Sequence, residues 1–208
     1  MYKEIARELL ARFLNNHFRK RPFIVAIDGL SGSGKTTLAS LLQRELTEKH
    51  KYNVSIIHID DHIEKRDKRY NTGREEWYEY YFLQWDISSI QKRLFIPLHR
   101  NCSELYLPFY NQPTDTTSNR EIPTNNVDII IIEGIFLQRN EWMSFYDFTV
   151  FLDCPRAIRY QRVLDRDSYI GNLEERLHKY KRRYWAGEDF YMKNEQPIEK
   201  ADKVYEVK

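Results

Sequence analysis

The segment Gly29-Leu30-Ser31-Gly32-Ser33-Gly34-Lys35-Thr36 fits the pattern G-x-x-x-x-G-K-[ST]. Glycines at these positions let the backbone bend so that successive N–H groups converge on phosphate oxygens. A helix beginning near Lys35 adds its positive end to the same spot. Gly29, Ser31, Gly32, Ser33 and Gly34 then cradle the phosphates of a nucleoside triphosphate, with Lys35 bridging the β and γ phosphates. Thr36 is placed to ligate Mg²⁺ through its hydroxyl, and Thr37, one residue further on, lies near the α phosphate. A Gly/Ser-rich turn that happens to precede a lysine is the alternative, opposed by the apolar run before it and the helical pattern after it. No Asn/Thr-Lys-x-Asp guanine signature occurs, which favours ATP over GTP. Triphosphate binding leaves open whether the phosphoryl group goes to water or to another molecule.

Transfer to another molecule needs positioning, cations around the migrating group and a carboxylate that receives the acceptor proton. Asp60 closes the apolar run Val54 to Asp60 and is the candidate carboxylate; a helix N-cap or a partner for Lys65 and Arg66 is its alternative role. Glu133 closes the most apolar run of the chain, where a charge is costly unless compensated. Mg²⁺, held directly or through water, would compensate it, and so would a structural bond to the phosphate loop. Arg159, Arg162 and Arg166 fall at i, i+3 and i+7, so one helix face presents three guanidiniums suited to phosphate, or else a solvated face. Arg156 to Arg183 holds nine basic and four acidic residues, a local excess hidden in a net charge of +2. A mobile lid that closes over ATP and excludes water is the expectation for this stretch.

Seven rings, Tyr70, Trp77, Tyr78, Tyr80, Tyr81, Phe82 and Trp85, fall within a span of sixteen positions. Trp77, Tyr81 and Trp85 share one helical face, which serves either as a docking face on the sheet or a sister subunit, or as an acceptor-pocket wall that includes Tyr81. His58 and His62 flank the aspartates without metal-ligand spacing and read as packing or pocket residues. Cys102 and Cys154 are too few and too far apart for a zinc knuckle or a disulfide framework, and Cys154 reads as buried rather than reactive.

These residues need a scaffold, and the apolar runs supply one. Phe23 to Asp28, Val54 to Asp60, Val127 to Glu133 and Phe148 to Asp153 lack polar alternation, as strands covered on both faces do; Lys203 to Val207 is a weaker fifth. Helical patterns span Lys35 to Lys49, Arg74 to Phe95, Pro155 to Arg166 and Leu173 to Tyr191, while Pro108 to Asn126 reads as a long irregular connection. The expected fold is α/β with a parallel sheet, and ligands of such sheets sit beyond the carboxyl ends of the strands. Residues 1–20 form an amphipathic helix, with Ile5, Leu9 and Phe13 on one face, rather than a secretion signal.

The phosphate loop, Asp60-Asp61 after the second strand and Ile129-Ile-Ile-Ile-Glu133-Gly134 together resemble the uridine kinase branch of the phosphoribulokinase and pantothenate kinase group. The resemblance runs from about Phe23 to the end. It implies a P-loop NTPase fold of the nucleoside or nucleotide kinase type, with a five-stranded parallel core sheet flanked by helices and a helical lid. It implies that Asp60 acts on the acceptor hydroxyl, with Asp61, His62 and Ile63 in the segment where the family has Asp-x-Phe-Tyr. Leu107-Pro108-Phe109-Tyr110-Asn111 resembles the family's Pro-x-Tyr-Asp hairpin, so Tyr110 would lie against the acceptor. Glu133-Gly134 resembles the Glu-Gly near Mg²⁺, and Arg159, Arg162, Arg166 and Asp167 resemble the lid helix. Pro197 to Val204 resembles the segment beside adenine. Asn111 to Thr117 and Ser168 to Asn172 contain neither the histidine nor the arginines with which uridine kinases hold the nucleoside.

The 208 residues suit one domain, 1–208, with the lid and following helix at 155–193. A mean hydropathy of −0.71 and near-balanced charge exclude a membrane protein or a chain built around nucleic-acid phosphates. The expectation is a cytoplasmic, ATP- and Mg²⁺-dependent enzyme, with Asp60, Lys35, Arg162 and Arg166 catalytic and Thr36 and Glu133 at the metal. Asp61, His62, Tyr81, Tyr110 and Arg159 would contact a small-molecule acceptor, most simply a nucleoside, and a homo-oligomer stays open. The alternatives are a kinase of a sugar, vitamin precursor or nucleotide, and an ATP-hydrolysing switch without an acceptor.

Overall fold

The computed structural model describes residues 2–15 and 20–207. Five strands form one parallel sheet: β1 (Phe23–Gly29), β2 (Val54–His58), β5 (Ile129–Glu133), β6 (Phe148–Asp153) and β7 (Lys203–Glu206), in the order β2-β5-β1-β6-β7. The two central strands, β1 and β5, are buried at every position because helices cover both faces. Alternate residues therefore feed two separate cores. Ile24, Ala26, Ile130 and Ile132 face the aromatic side with Trp85, Phe95 and Trp142. Val25, Ile27, Ile129 and Ile131 face Leu38, Leu42 and Leu46 of the helix Lys35–Glu48 and Ile5 and Leu9 of the N-terminal helix Tyr2–Asn15. Of the amphipathic helix expected over residues 1–20, residues 1 and 16–19 lie outside the described part of the chain.

The stretch whose residue pattern reads as an irregular connection is an antiparallel hairpin of β3 (Glu104–Asn111) and β4 (Thr116–Pro123), as the family resemblance at Leu107 to Asn111 implied. Its three prolines hid it: Pro108 faces Asn119 in a two-stranded sheet with free edges, where a missing N–H is tolerated, and Pro123 closes the second strand. The helix expected over Arg74 to Phe95 is split. Glu76–Phe82 ends, and a second helical stretch starts at Ile87, capped by the Asp86 carboxylate, which accepts from the Ser89 N–H at 2.9 Å. The break turns Trp85 inward, where its Nε1–H donates to the Ile59 carbonyl at 2.9 Å. The pattern Leu173 to Tyr191 forms Leu173–Lys179, a π turn at Tyr180–Tyr184 and Trp185–Glu195. The lid helix, Arg156–Arg166, stands on a small core of its own, Val163 and Leu164 against Tyr180 and Trp185.

Candidate active site

The register of the sheet aligns the ends that matter: Ile27 pairs with Glu133, and Glu133 with His58. A cleft of about 690 Å³ opens beyond these ends, a volume suited to a nucleotide-sized ligand. Its lining includes the loop from Ser31 to Thr37, Asp60, Glu133, Arg162 and Arg166, so residues from both halves of the chain converge on it.

The helix behind the loop begins without a side-chain cap, and its first N–H groups have no intrahelical acceptor. The buried Ser33 hydroxyl likewise lacks a protein partner. These orphaned donors are what a phosphate would satisfy. Lys35 folds back over the loop, its Nζ donating to the Leu30 carbonyl at 3.1 Å. Burial lowers its pKa, against the opposing charges of Glu133, Asp60, Asp28 and Glu188. Gly29 stands behind the cradle, its N–H donating to Asp28 Oδ1 at 2.7 Å.

Glu133 is buried and accepts the Thr36 hydroxyl at 3.1 Å, and the His58 Nδ1 lies 2.6 Å from the same carboxylate oxygen, Oε1. A hydroxyl and a carboxylate oxygen are the hard donors that Mg²⁺ takes, usually with phosphate oxygens and water completing the shell. No group of three or more His, Cys, Asp or Glu side chains forms a closed cage among the described residues. Asp60 sits in a 3-10 turn, Ile59–His62, directly after β2. Its side chain is exposed to the cleft; crowding by the surrounding protein raises its pKa, Lys35 opposes the rise and Glu133 adds to it.

The acceptor side differs from expectation: of Asp61, His62, Tyr81, Tyr110 and Arg159, none lines the cleft. Tyr81 does not line the cleft: the helix stops at Phe82, and the Tyr81 ring turns into the core, its hydroxyl donating to Glu195 Oε1 at 2.9 Å. Its neighbour Tyr80 takes the cleft position. Arg159 is also turned away, into a buried pair with Glu188 at 2.9 Å. Arg162 and Arg166 remain on the cleft, Arg162 donating to the Gly32 carbonyl at 3.1 Å and Arg166 to Asp167 at 2.7 Å. Asp61 is exposed beside Asp60. His62 is buried, its Nδ1–H donating to the Pro108 carbonyl at 2.8 Å and its ring edge-on to Phe109, so it fastens the hairpin to β2. Tyr110 donates to Asp115 Oδ1 at 2.9 Å and carries the Arg69 guanidinium over its ring. Val207, not the segment Pro197 to Val204, reaches the cleft at the sheet's far edge.

Sequence patterns did not single out Glu188, fully buried in the C-terminal helix, whose Oε1 accepts the Ser31 N–H at 2.9 Å. Its only signal was a carboxylate beside Gly187 in a helix that also carries Asp189 and Glu195 and no motif. Asp28 offered a clearer signal, a charge inside an apolar strand. It is fully buried and accepts from Gly29 and from the side chains of Gln138 and Tyr191.

The sequence matches the model of a family described as an AAA domain over residues 25–178. It is 32% identical to the uridine kinase of Lactobacillus helveticus over 157 residues, covering 71% of this chain and 69% of that one. It is 31% identical to the uridine kinase of Halalkalibacterium halodurans over 151 residues, 71% of this chain and 68% of that one. Among solved structures, a possible uridine kinase from Bacillus stearothermophilus superposes with a TM-score of 0.80 at 41% identity, over 99% of this chain and 100% of that one. D-glycerate 3-kinase from Cryptococcus neoformans shares the fold, with a TM-score of 0.69 at 12% identity over 91% and 87% of the two chains.

Proposed function

The chain belongs to the uridine kinase branch of the P-loop kinases and is an ATP-dependent phosphotransferase, and from that premise we propose that it phosphorylates a nucleoside hydroxyl, with uridine the first acceptor to try. One observation carries the proposal: Asp60, open to the cleft and raised in pKa, shares that cleft with Lys35, Glu133 and two arginines. The phosphate loop holds the triphosphate. The acceptor oxygen forms a bond to the γ phosphorus as the bond from that phosphorus to the β–γ bridging oxygen breaks; ADP departs and the hydroxyl proton passes to Asp60. Lys35, Arg162 and Arg166 balance the charge on the migrating group. Thr36 and Glu133 would hold Mg²⁺, which neutralises phosphate charge when bound, and His58 orients the Glu133 carboxylate.

Arg69, outside the cleft, is buried, donates through Nε to the Glu64 carbonyl at 2.7 Å, lies over the rings of Tyr70 and Tyr110, and helps lower the pKa of Asp115.

The test is ATP consumption and product formation across nucleosides, nucleotides, sugars and hydroxy acids. We expect one class to raise turnover, Lys35→Met to abolish it, and Asp60→Asn to lower transfer about 10²- to 10⁴-fold with ATP still bound. Transfer at the wild-type rate in Asp60→Asn removes Asp60 from its role. A panel in which no acceptor raises turnover overturns the kinase-acceptor reading in favour of an ATP-hydrolysing switch.

A further inference from the structure

Gln84 lies in the turn between the helix Glu76–Phe82 and the helical stretch that starts at Ile87. Two bonds fasten this turn to the segment that carries Asp60. The Trp85 Nε1–H donates to the Ile59 carbonyl at 2.9 Å, just before Asp60, and the Glu64 N–H, further along the same segment, donates to the Gln84 carbonyl at 2.9 Å. Trp85 is buried, with its ring edge-on to Phe136 and Trp142, so it anchors the turn in the aromatic core. The side chain at position 84 is thereby held beside Asp60, and it lines the cleft together with Asp60, Ile63 and Tyr80.

Gln84 is 8% exposed, and its Oε1 is buried with no hydrogen-bond partner. Nearly all buried polar atoms find a partner, because leaving one unpaired costs free energy. Among the described residues, two such orphaned atoms belong to side chains that line the cleft: Ser33 Oγ on the phosphate side and Gln84 Oε1 beside Asp60. Rotation about the terminal Cγ–Cδ bond, a broad torsion, carries Oε1 toward the cleft without moving the backbone that the two bonds hold. An amide oxygen only accepts, so its partner must bring a proton on oxygen or nitrogen. An anionic group at this point would leave Oε1 unpaired, whereas a hydroxyl or an N–H satisfies it.

We propose that Gln84 is a specificity-determining residue of the phosphoryl-acceptor site, its Oε1 taking a hydrogen bond from a neutral O–H or N–H of the acceptor molecule other than the hydroxyl that is phosphorylated. This role rests on the reading of Asp60 given above and deepens it. A side chain built to pair with a substrate donor rejects the analogue that lacks it, because the buried oxygen is then left without a partner. Gln84 therefore selects among alcohols that could all reach Asp60.

The test compares wild type with Gln84→Met, which keeps the length of the side chain and removes its polarity. Each is assayed with the nucleoside or sugar that best raises turnover, and with analogues in which one other hydroxyl is replaced by hydrogen or one N–H is methylated. We expect wild type to disfavour one analogue about 10²-fold or more in kcat/KM. In Gln84→Met, kcat/KM for the parent compound should fall about 30- to 100-fold and that for this analogue should stay within about threefold, with the Kd of ATP within about twofold of wild type. A deoxy analogue that responds in this way identifies a sugar hydroxyl as the partner, and a methylated one identifies a base N–H. Equal losses for the parent and every analogue, or an unchanged kcat/KM, overturn the role of Gln84 and leave the kinase reading standing; a panel in which no acceptor raises turnover overturns both. Urea unfolding needs no acceptor. Because Gln84→Met removes a buried polar atom that has no partner, its midpoint should be no lower than that of wild type, and a clearly lowered midpoint means that the amide serves the fold and overturns the proposal.

Discussion

Asp28 lies immediately before the phosphate loop, fully buried, with its pKa raised by loss of solvent; the Tyr191 hydroxyl, the Gly29 N–H, Gln138 and Lys35 hold the rise back. A carboxyl that binds its proton more tightly folded than unfolded stabilises the fold fully below its ordinary pKa of 3.8, and that contribution is lost as pH rises through the folded value. Asp28→Asn does not titrate. Thermal melts taken between about pH 4 and pH 8 should therefore show wild type losing ground to Asp28→Asn as pH increases, whatever the constant offset between them. Parallel melting profiles would mean that Asp28 titrates alike in both states. The same direction of shift at Asp60 has a catalytic meaning: the acid limb of transfer lies at higher pH than an aspartate of ordinary pKa would give. Both shifts arise from enclosure, which a residue name cannot convey; Asp60 was legible as a strand-end carboxylate, but its setting was not.

At the scale of elements, the lid helix is seated directly on the phosphate loop. A Cβ on Gly32 would lie 2.9 Å from both the Arg159 carbonyl and Val163 Cγ1, and its φ of +79° is one that side-chain-bearing residues rarely adopt. Gly32→Ala should cost about 1–3 kcal/mol in denaturant unfolding, through strain and collision together, and should weaken ATP binding as the lid is pushed off. Unaltered unfolding and ATP titration would show that the helix yields without cost. The arginine spacing at i, i+3 and i+7 identified this helix, but only packing divided its members. Arg159 turned under the loop to meet Glu188, and Arg162 and Arg166 stayed on the cleft. The aromatic stretch divided similarly: the helix Glu76–Phe82 stops before Asp86 caps the next one, and Tyr80, not Tyr81, faces the ligand space. In the residue pattern the hairpin was obscured by its prolines, which lower strand preference, and only the family resemblance at Leu107 to Asn111 pointed to it.

Across the whole molecule, the sheet separates two cores, and the N-terminal helix covers one of them with Ile5 and Leu9 at 0% exposure. Leu9→Ala should cost about 2–5 kcal/mol in urea unfolding while leaving the Kd of ATP near wild type, since Leu9 packs on the sheet face behind the phosphate-loop helix. A loss below about 0.5 kcal/mol would mean that the helix is only loosely docked. No helix among the described residues is long and apolar enough to cross a membrane. By itself the sequence determined the parallel sheet, the phosphate loop and the strand-end carboxylates, because apolar runs and a loop of fixed spacing are local patterns set by backbone geometry. Tertiary structure alone decided which side chains share the cleft and which bury in pairs. Arg159, Glu188 and Ser31 are brought together from positions up to 157 residues apart, and no local periodicity records such a meeting.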